Sequence, residues 1–171
     1  NGAGVAESAP AILRHGMALA LAIGLVTAVL SHALVGYLPL LGSSPEVTAE
    51  AREFFILMSW SMIPGLLFHA LRGHRDSQHQ PWISLAWLSV GILVNILLNW
   101  LWMFGHWGFP DLGLAGAGWA TLVARCVMLI GLWFTPGRGE VRWAEGLQLA
   151  VLRRLLKTGW PAGLHSLSEV G

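Results

Sequence analysis

Four side chains are polar within runs that are otherwise apolar: Asn95, Asn99, Arg125 and Glu169. The segment Asn95-Ile96-Leu97-Leu98-Asn99 sets two carboxamides four residues apart, which puts both on one helical face. Gly91 and Ser84 carry that face upstream, so a small and polar stripe runs through large aliphatics and should face protein or water. Such a pair serves in one of two ways. It bridges helices, at about 1 kcal/mol per bond, or it walls a cavity that ligates a cation or a substrate. Glu169 is the one acid well inside an apolar run. An ionised carboxylate at that depth is costly unless paired, hydrated or protonated, which suits a carrier of protons or sodium ions. His165 lies four residues earlier on the same face. Pro161 stands one turn before that and predicts a kink, with Gly159 and Gly163 permitting close helix approach. The other reading of Glu169 places it at a membrane surface. Arg125 interrupts its block near the middle. It binds an anionic substrate, pairs with a carboxylate elsewhere, reaches a surface with its flexible stem, or sits on a helix displaced toward the inner surface.

These groups need elements that hold them at depth, and the composition says which. Hydrophobic residues make up 55% of the 171-residue chain and charged residues 11%, against roughly 25% charged in an ordinary soluble domain. Mean hydropathy is +0.62. Apolar blocks run from about 13 to 41, 54 to 71, 82 to 104 and 114 to 134, and a fifth begins near 155 and is still running at Gly171. One crossing of a bilayer takes about 20 helical residues, so each complete block fits one transmembrane helix. Membrane barrel strands would alternate polar and apolar residues, and these blocks do not. The expected fold is all-α, a polytopic transmembrane helix bundle. With no initiator methionine and an apolar stretch running into its last residue, the chain reads as a fragment.

The connections carry helix punctuation. Gly42-Ser43-Ser44-Pro45 closes the first hairpin, and Pro45-Glu46 suits a helix start. Gly105, Gly108 and Pro110 mark the next outer turn, and Pro136-Gly137-Arg138-Gly139 ends the fourth block. Residues 144–157 read as an amphipathic cytosolic helix with Leu147, Val151, Leu152 and Leu155 on one face. Basic loops, holding Arg14, then Arg72 and Arg75, then Arg138 to Lys157, alternate with loops holding Glu46, Glu50, Glu53 and Asp111. The positive-inside rule makes the basic loops cytoplasmic and places the N-terminal end inside. Trp82, Trp102, Trp107, Trp143 and Trp160 fall near block ends, where indoles favour the lipid–water boundary. Trp87 and Trp119 fall deeper and either line a cavity or face lipid and neighbouring helices.

Several function classes are set aside. A net charge of +1 gives no basic excess for nucleic acid. Cys126 is alone and cannot close an internal disulfide, so it reads as a small buried apolar residue. Gly113-Leu114-Ala115-Gly116-Ala117-Gly118 follows no strand and lacks a nucleotide fingerprint's spacing; it opens block four, where small residues allow tight packing. His32 and His69 read as helix-packing or boundary residues without metal-ligand spacing. No nucleophile elbow or carboxylate pair points to an enzyme.

One stretch is more specific. Asn95 to Leu101, Phe104-Gly105, Gly108-Phe109-Pro110 and Leu112 to Thr121 resemble the multidrug and toxic compound extrusion family, in its NorM-type branch. Gly2-Ala3-Gly4, Leu71-Arg72-Gly73 and Gly159-Trp160-Pro161-Ala162-Gly163 through Glu169 fit the same family in the same order. The resemblance implies a twelve-helix antiporter in two lobes, of which this chain holds helices three to six and the start of helix seven. Residues 1–135 then belong to the N-terminal lobe, 136–157 to a cytoplasmic inter-lobe linker, and 158–171 to the first helix of the C-terminal lobe. By position, Asn95 and Asn99 match the polar pair of helix five that lines the N-lobe cavity, Thr121 a helix-six hydroxyl facing it, and Glu169 the helix-seven carboxylate of cation coupling. Some members carry aspartate where Asn99 stands; the carboxamide here argues against proton relay at this position and is compatible with coordination. The histidine-rich turn from Gly73 to His79 is another departure. The implied activity is export of amphipathic, often cationic drugs across a bacterial inner membrane. The implied coupling ion is sodium or a proton, with Glu169 as a sodium ligand, no further cofactor, and the rest of the transporter as partner. The rival expectations are a lipid-linked oligosaccharide flippase of the same superfamily and a membrane scaffold without chemistry.

Overall fold

The computed structural model describes residues 9–41 and 45–136, together with 151, 153 and 157. It divides into two compact units, 1–19 with 139–171, and 20–138. The first unit includes the opening turns of the first helix, where His15 Nδ1 lies 2.7 Å from the Ala11 carbonyl oxygen and Leu13, Arg14 and His15 are buried. The expected amphipathic helix over 144–157 falls mostly outside the described residues, as do Trp143, Trp160, Pro161, His165 and Glu169.

The helices are α1 (Ala9–Val35), α2 (Pro45–Ser77), α3 (Pro81–Trp102) and α4 (Gly113–Phe134). Short 3-10 turns at Leu38–Leu41 and His106–Gly108 follow α1 and α3. All four helices are long and apolar enough to cross a membrane, and no strand occurs among the described residues. The third and fourth blocks match α3 and α4 within two residues. The second does not: α2 runs 33 residues, nine further back and six further on than the apolar block. The extensions carry Glu46, Glu50, Arg52, Arg72 and Arg75, which favour helix but not hydrocarbon. Hydropathy finds the part of a helix that lipid tolerates, not where the helix ends. The helix does begin at Pro45, as its fixed φ favours.

The order of contacts fixes the topology. Trp102 and Met103 at the end of α3 lie against Gly116 near the start of α4, while Trp87 near the start of α3 lies against Gly131 near the end of α4. These helices therefore run antiparallel. Leu57 of α2 meets Gly118, Gly65 meets Arg125, and Arg75 bonds the Leu132 carbonyl, so α2 and α4 run parallel. Helix α4 is the middle element, packed on both α2 and α3. Its sequence explains this: Ala115, Gly116, Gly118, Ala120 and Ala124 are buried. A β-carbon at Gly116 would stand 2.6 Å from the Trp102 carbonyl oxygen, so only glycine lets the two backbones approach. The glycine-rich run is a packing surface, as expected.

Outward faces are apolar and uncovered. Leu93 is 66% exposed and Val29 also 66%. A water-soluble bundle would bury such residues; in a membrane protein they face lipid or further helices. The chain is a multi-pass membrane helix bundle.

Candidate functional site

The α3–α4 seam gathers the polar residues that lie at spanning depth. Asn95 Nδ2 donates to Thr121 Oγ1 at 3.3 Å, and Thr121 Oγ1 donates to the Ala117 carbonyl at 2.9 Å. Asn99 Nδ2 turns back to Asn95, donating to its carbonyl oxygen at 2.9 Å and its Oδ1 at 3.1 Å. Both asparagines are half-buried, while Ile92, Leu93, Ile96 and Leu97 around them are exposed. Ser84 and Gly91, which continue the stripe, are buried. The carboxamide pair thus bridges helices through Thr121.

The same seam holds a pocket of about 210 Å³, lined by Leu88, Gly91, Ile92, Asn95, Thr121, Ala124, Arg125 and Met128. Its lining joins Asn95 and Thr121, does not include Asn99, and adds Arg125. The Met128 side chain occupies the space that a β-carbon at Gly91 would need. Bridging and wall-forming are therefore both present at Asn95. Glu169 lies outside the described residues, among which no group of three metal-ligating side chains occurs.

Arg125 does not run along its helix to a surface. Its Nη1 donates to Ser61 Oγ on α2 at 2.9 Å and lies 3.7 Å from Met62 Sδ. Gly65 leaves room for its stem: a β-carbon there would sit 3.3 Å from Arg125 Cδ. The reading in which the flexible stem carries this side chain out to a surface is corrected, because α2 offers a hydroxyl and a glycine notch at the same level. Pro64 adds local polarity, since it cannot donate to the Trp60 carbonyl.

A second arginine was expected in a solvated basic loop and is instead 0% exposed. Arg75, at the end of α2, donates through Nη2 to the Thr135 carbonyl and, at 3.5 Å, to that of Leu132. Its Nη1 reaches the Pro136 carbonyl at 2.8 Å and Gln80 Oε1 at 3.2 Å. It caps the carboxyl end of α4, where helix carbonyls lack partners and the dipole favours a cation. Trp87 supports this end: its ring packs on Gly131 and its Nε1 donates to Thr135 Oγ1 at 2.8 Å. Trp87 is thus a helix-packing residue, whereas Trp119 is 42% exposed. The histidine-rich turn also gains a local account. His79 takes φ +60, and the amides of Gln78 and Gln80 both donate to the Arg75 carbonyl, so the turn presents Arg75 to α4. His32 and His69 are exposed on their helices.

Comparison with known proteins agrees with this architecture. The MatE family model matches residues 1–101. A protein named probable multidrug resistance protein NorM, from Synechococcus sp., is 34% identical over all of this chain and 38% of its own length. Proteins of the same name from Pseudomonas putida and Acinetobacter baylyi are 33% and 28% identical, over 100% and 99% of this chain and 38% and 39% of their own. The chain therefore spans well under half the length of the curated relatives it matches. No solved structure matches it. With that model covering more than half of its residues, the chain belongs to the MatE family.

Proposed function

We propose that this chain is part of a secondary transporter that exports amphipathic, often cationic drugs across a bacterial inner membrane in exchange for sodium ions or protons. The observation that carries the reading is the α3–α4 pocket, where Asn95, Thr121 and Arg125 are held at spanning depth between apolar walls. Lipid-facing polarity there has no stabilising role, so an internal, water-accessible path is the use that fits. The names of the relatives point to drugs as cargo. In this reading Asn95, Asn99 and Thr121 form part of the N-lobe wall and Glu169 takes up the coupling cation. Rocking of one lobe against the other exposes the wall to each side in turn.

The test is drug efflux from cells carrying the full-length gene, under imposed sodium and pH gradients. Glu169→Gln is expected to abolish the gradient-driven component while leaving protein in the membrane. Efflux that still follows either gradient in that variant would remove Glu169 from coupling. Efflux indifferent to both gradients in the unmodified protein would remove antiport itself.

A further inference from the structure

Arg125 is the one charged residue on the wall of the α3–α4 pocket, and no acid lines it. Its place on α4 is deep: at 1.5 Å per residue it lies roughly 18 Å from Gly113 and 14 Å from Phe134. A guanidinium at that depth costs several kcal/mol unless compensated. The compensation given by α2 is one neutral hydroxyl, Ser61 Oγ, and the weak acceptor Met62 Sδ, both reached from Nη1. A guanidinium has five N–H donors, so these two contacts leave most of its hydrogen-bonding capacity for another acceptor. No carboxylate pairs with it among the described residues. The pocket beside it, at about 210 Å³, holds on the order of seven waters. It is therefore roomy enough to keep the charge hydrated when empty.

The walls then say what displaces that water. Leu88, Ile92 and Met128 form an apolar slot, with Met128 free to adapt its shape. Asn95, Thr121 and Arg125 supply the polar part of the lining, and a guanidinium is a planar fork that matches a carboxylate. The slot is smaller than a whole drug site of some 300–1,000 Å³, so it takes one end of a ligand. From this geometry we infer that the α3–α4 pocket binds the carboxylate end of an amphipathic substrate, with Arg125 as its counter-charge and specificity-determining residue. The inference rests on the transport reading above and refines it: this pocket takes the anionic end of an amphipathic cargo, and any cationic end of the same ligand lies outside it.

The experiment compares two dyes that differ only in the charge-bearing group, rhodamine B with a free carboxylate and its ethyl ester. Initial efflux of each is measured in proteoliposomes of the full-length transporter, for the unmodified protein, Arg125→Gln, Arg125→Lys and Ser61→Ala. Arg125→Gln should lower the carboxylate-to-ester rate ratio by at least about tenfold, since a charge-assisted pair is lost. Arg125→Lys, which keeps the charge without the fork, should restore part of that ratio. Ser61→Ala should shift it little. Equal loss for both dyes in Arg125→Gln, matched by Ser61→Ala, would make Arg125 a helix bridge and overturn the inference. So would an unchanged ratio. An unmodified protein that moves the ester but not the acid would also overturn it and leave transport standing, whereas movement of neither dye would count against transport itself.

Discussion

Replacing Arg75 with methionine should be among the most destabilising single changes in this part of the protein, although Arg75 lies far from the pocket. The side chain is 0% exposed, and its guanidinium serves the carbonyls of Leu132, Thr135 and Pro136 and the Gln80 amide oxygen. Pro136 is exposed, so water can replace the arginine at its carbonyl and little is lost there. The bond to Leu132 is long at 3.5 Å and is discounted too. What remains is one strong charge-assisted bond to Thr135, the Gln80 contact and the interaction with the α4 dipole. A charge-assisted bond contributes about 1.5–3 kcal/mol and a partly buried cation at a helix terminus up to about 2 kcal/mol. Methionine fills much of the volume, so the expected loss is about 2–4 kcal/mol, with no large cavity term. Lysine keeps the dipole interaction and loses the fork, for about half that loss. The measurement is a denaturation midpoint of the purified full-length transporter in detergent, followed by monodispersity on size exclusion. Arg75→Met should lower the midpoint by about 2–4 °C, and Arg75→Lys by less. A midpoint within about 1 °C of the unmodified protein for the methionine variant would refute the capping argument.

Two further outcomes follow from the same contacts. Gly116→Leu must push α4 off the Trp102 carbonyl, 2.6 Å from the added β-carbon, and should cost about 3 kcal/mol or prevent accumulation in the membrane; a normally accumulating, equally stable variant would argue against the close α3–α4 approach. Asn95→Leu removes the amide bond to Thr121 and the Oδ1 acceptor of Asn99, which keeps its bond to the backbone carbonyl of residue 95, and should cost about 1 kcal/mol in a detergent-melting assay. Drug efflux should nevertheless fall severalfold, and efflux that merely tracks the stability loss would leave Asn95 a bridge and nothing more.

The helices were legible because lipid imposes a length and a polarity on each crossing, and α3 and α4 obey both limits. The ends of α2 were not, since its terminal turns leave hydrocarbon while remaining helical; charge marks the first boundary and says nothing of the second. The stripe from Ser84 to Asn99 was legible as an inward face because helix periodicity places it with no knowledge of neighbours. The partners of the arginines were hidden. Arg125 with Ser61, and Arg75 with Thr135, lie about sixty residues apart in sequence. Their meeting depends on α2 and α4 lying parallel and in register, which no local pattern encodes. A basic residue in a turn reads the same whether it points to water or into the foot of another helix. Gly65 and Gly118 leave room for Arg125 and Leu57 opposite, but a glycine alone does not say what fills the room.

The two readings of the asparagine stripe, bridge or wall, cease to compete once the solvent is considered. Between helices in lipid no hydrophobic force favours contact, because the surrounding chains are as apolar as leucine. Small residues and hydrogen bonds must therefore supply the seam, and in α3 and α4 they do so at Gly91, Asn95, Gly116 and Thr121. Backbones approach closely only where no long side chain stands between them, as at Gly116 and Trp102. Where a longer side chain such as Arg125 or Met128 intervenes, the seam opens, and the polar groups already turned inward become its walls. The outward faces cannot do this, since Leu93 and Ile96 are 66% and 60% exposed and offer lipid nothing but hydrocarbon. The groups that hold this bundle together in a membrane are thus the groups positioned to meet a ligand inside it.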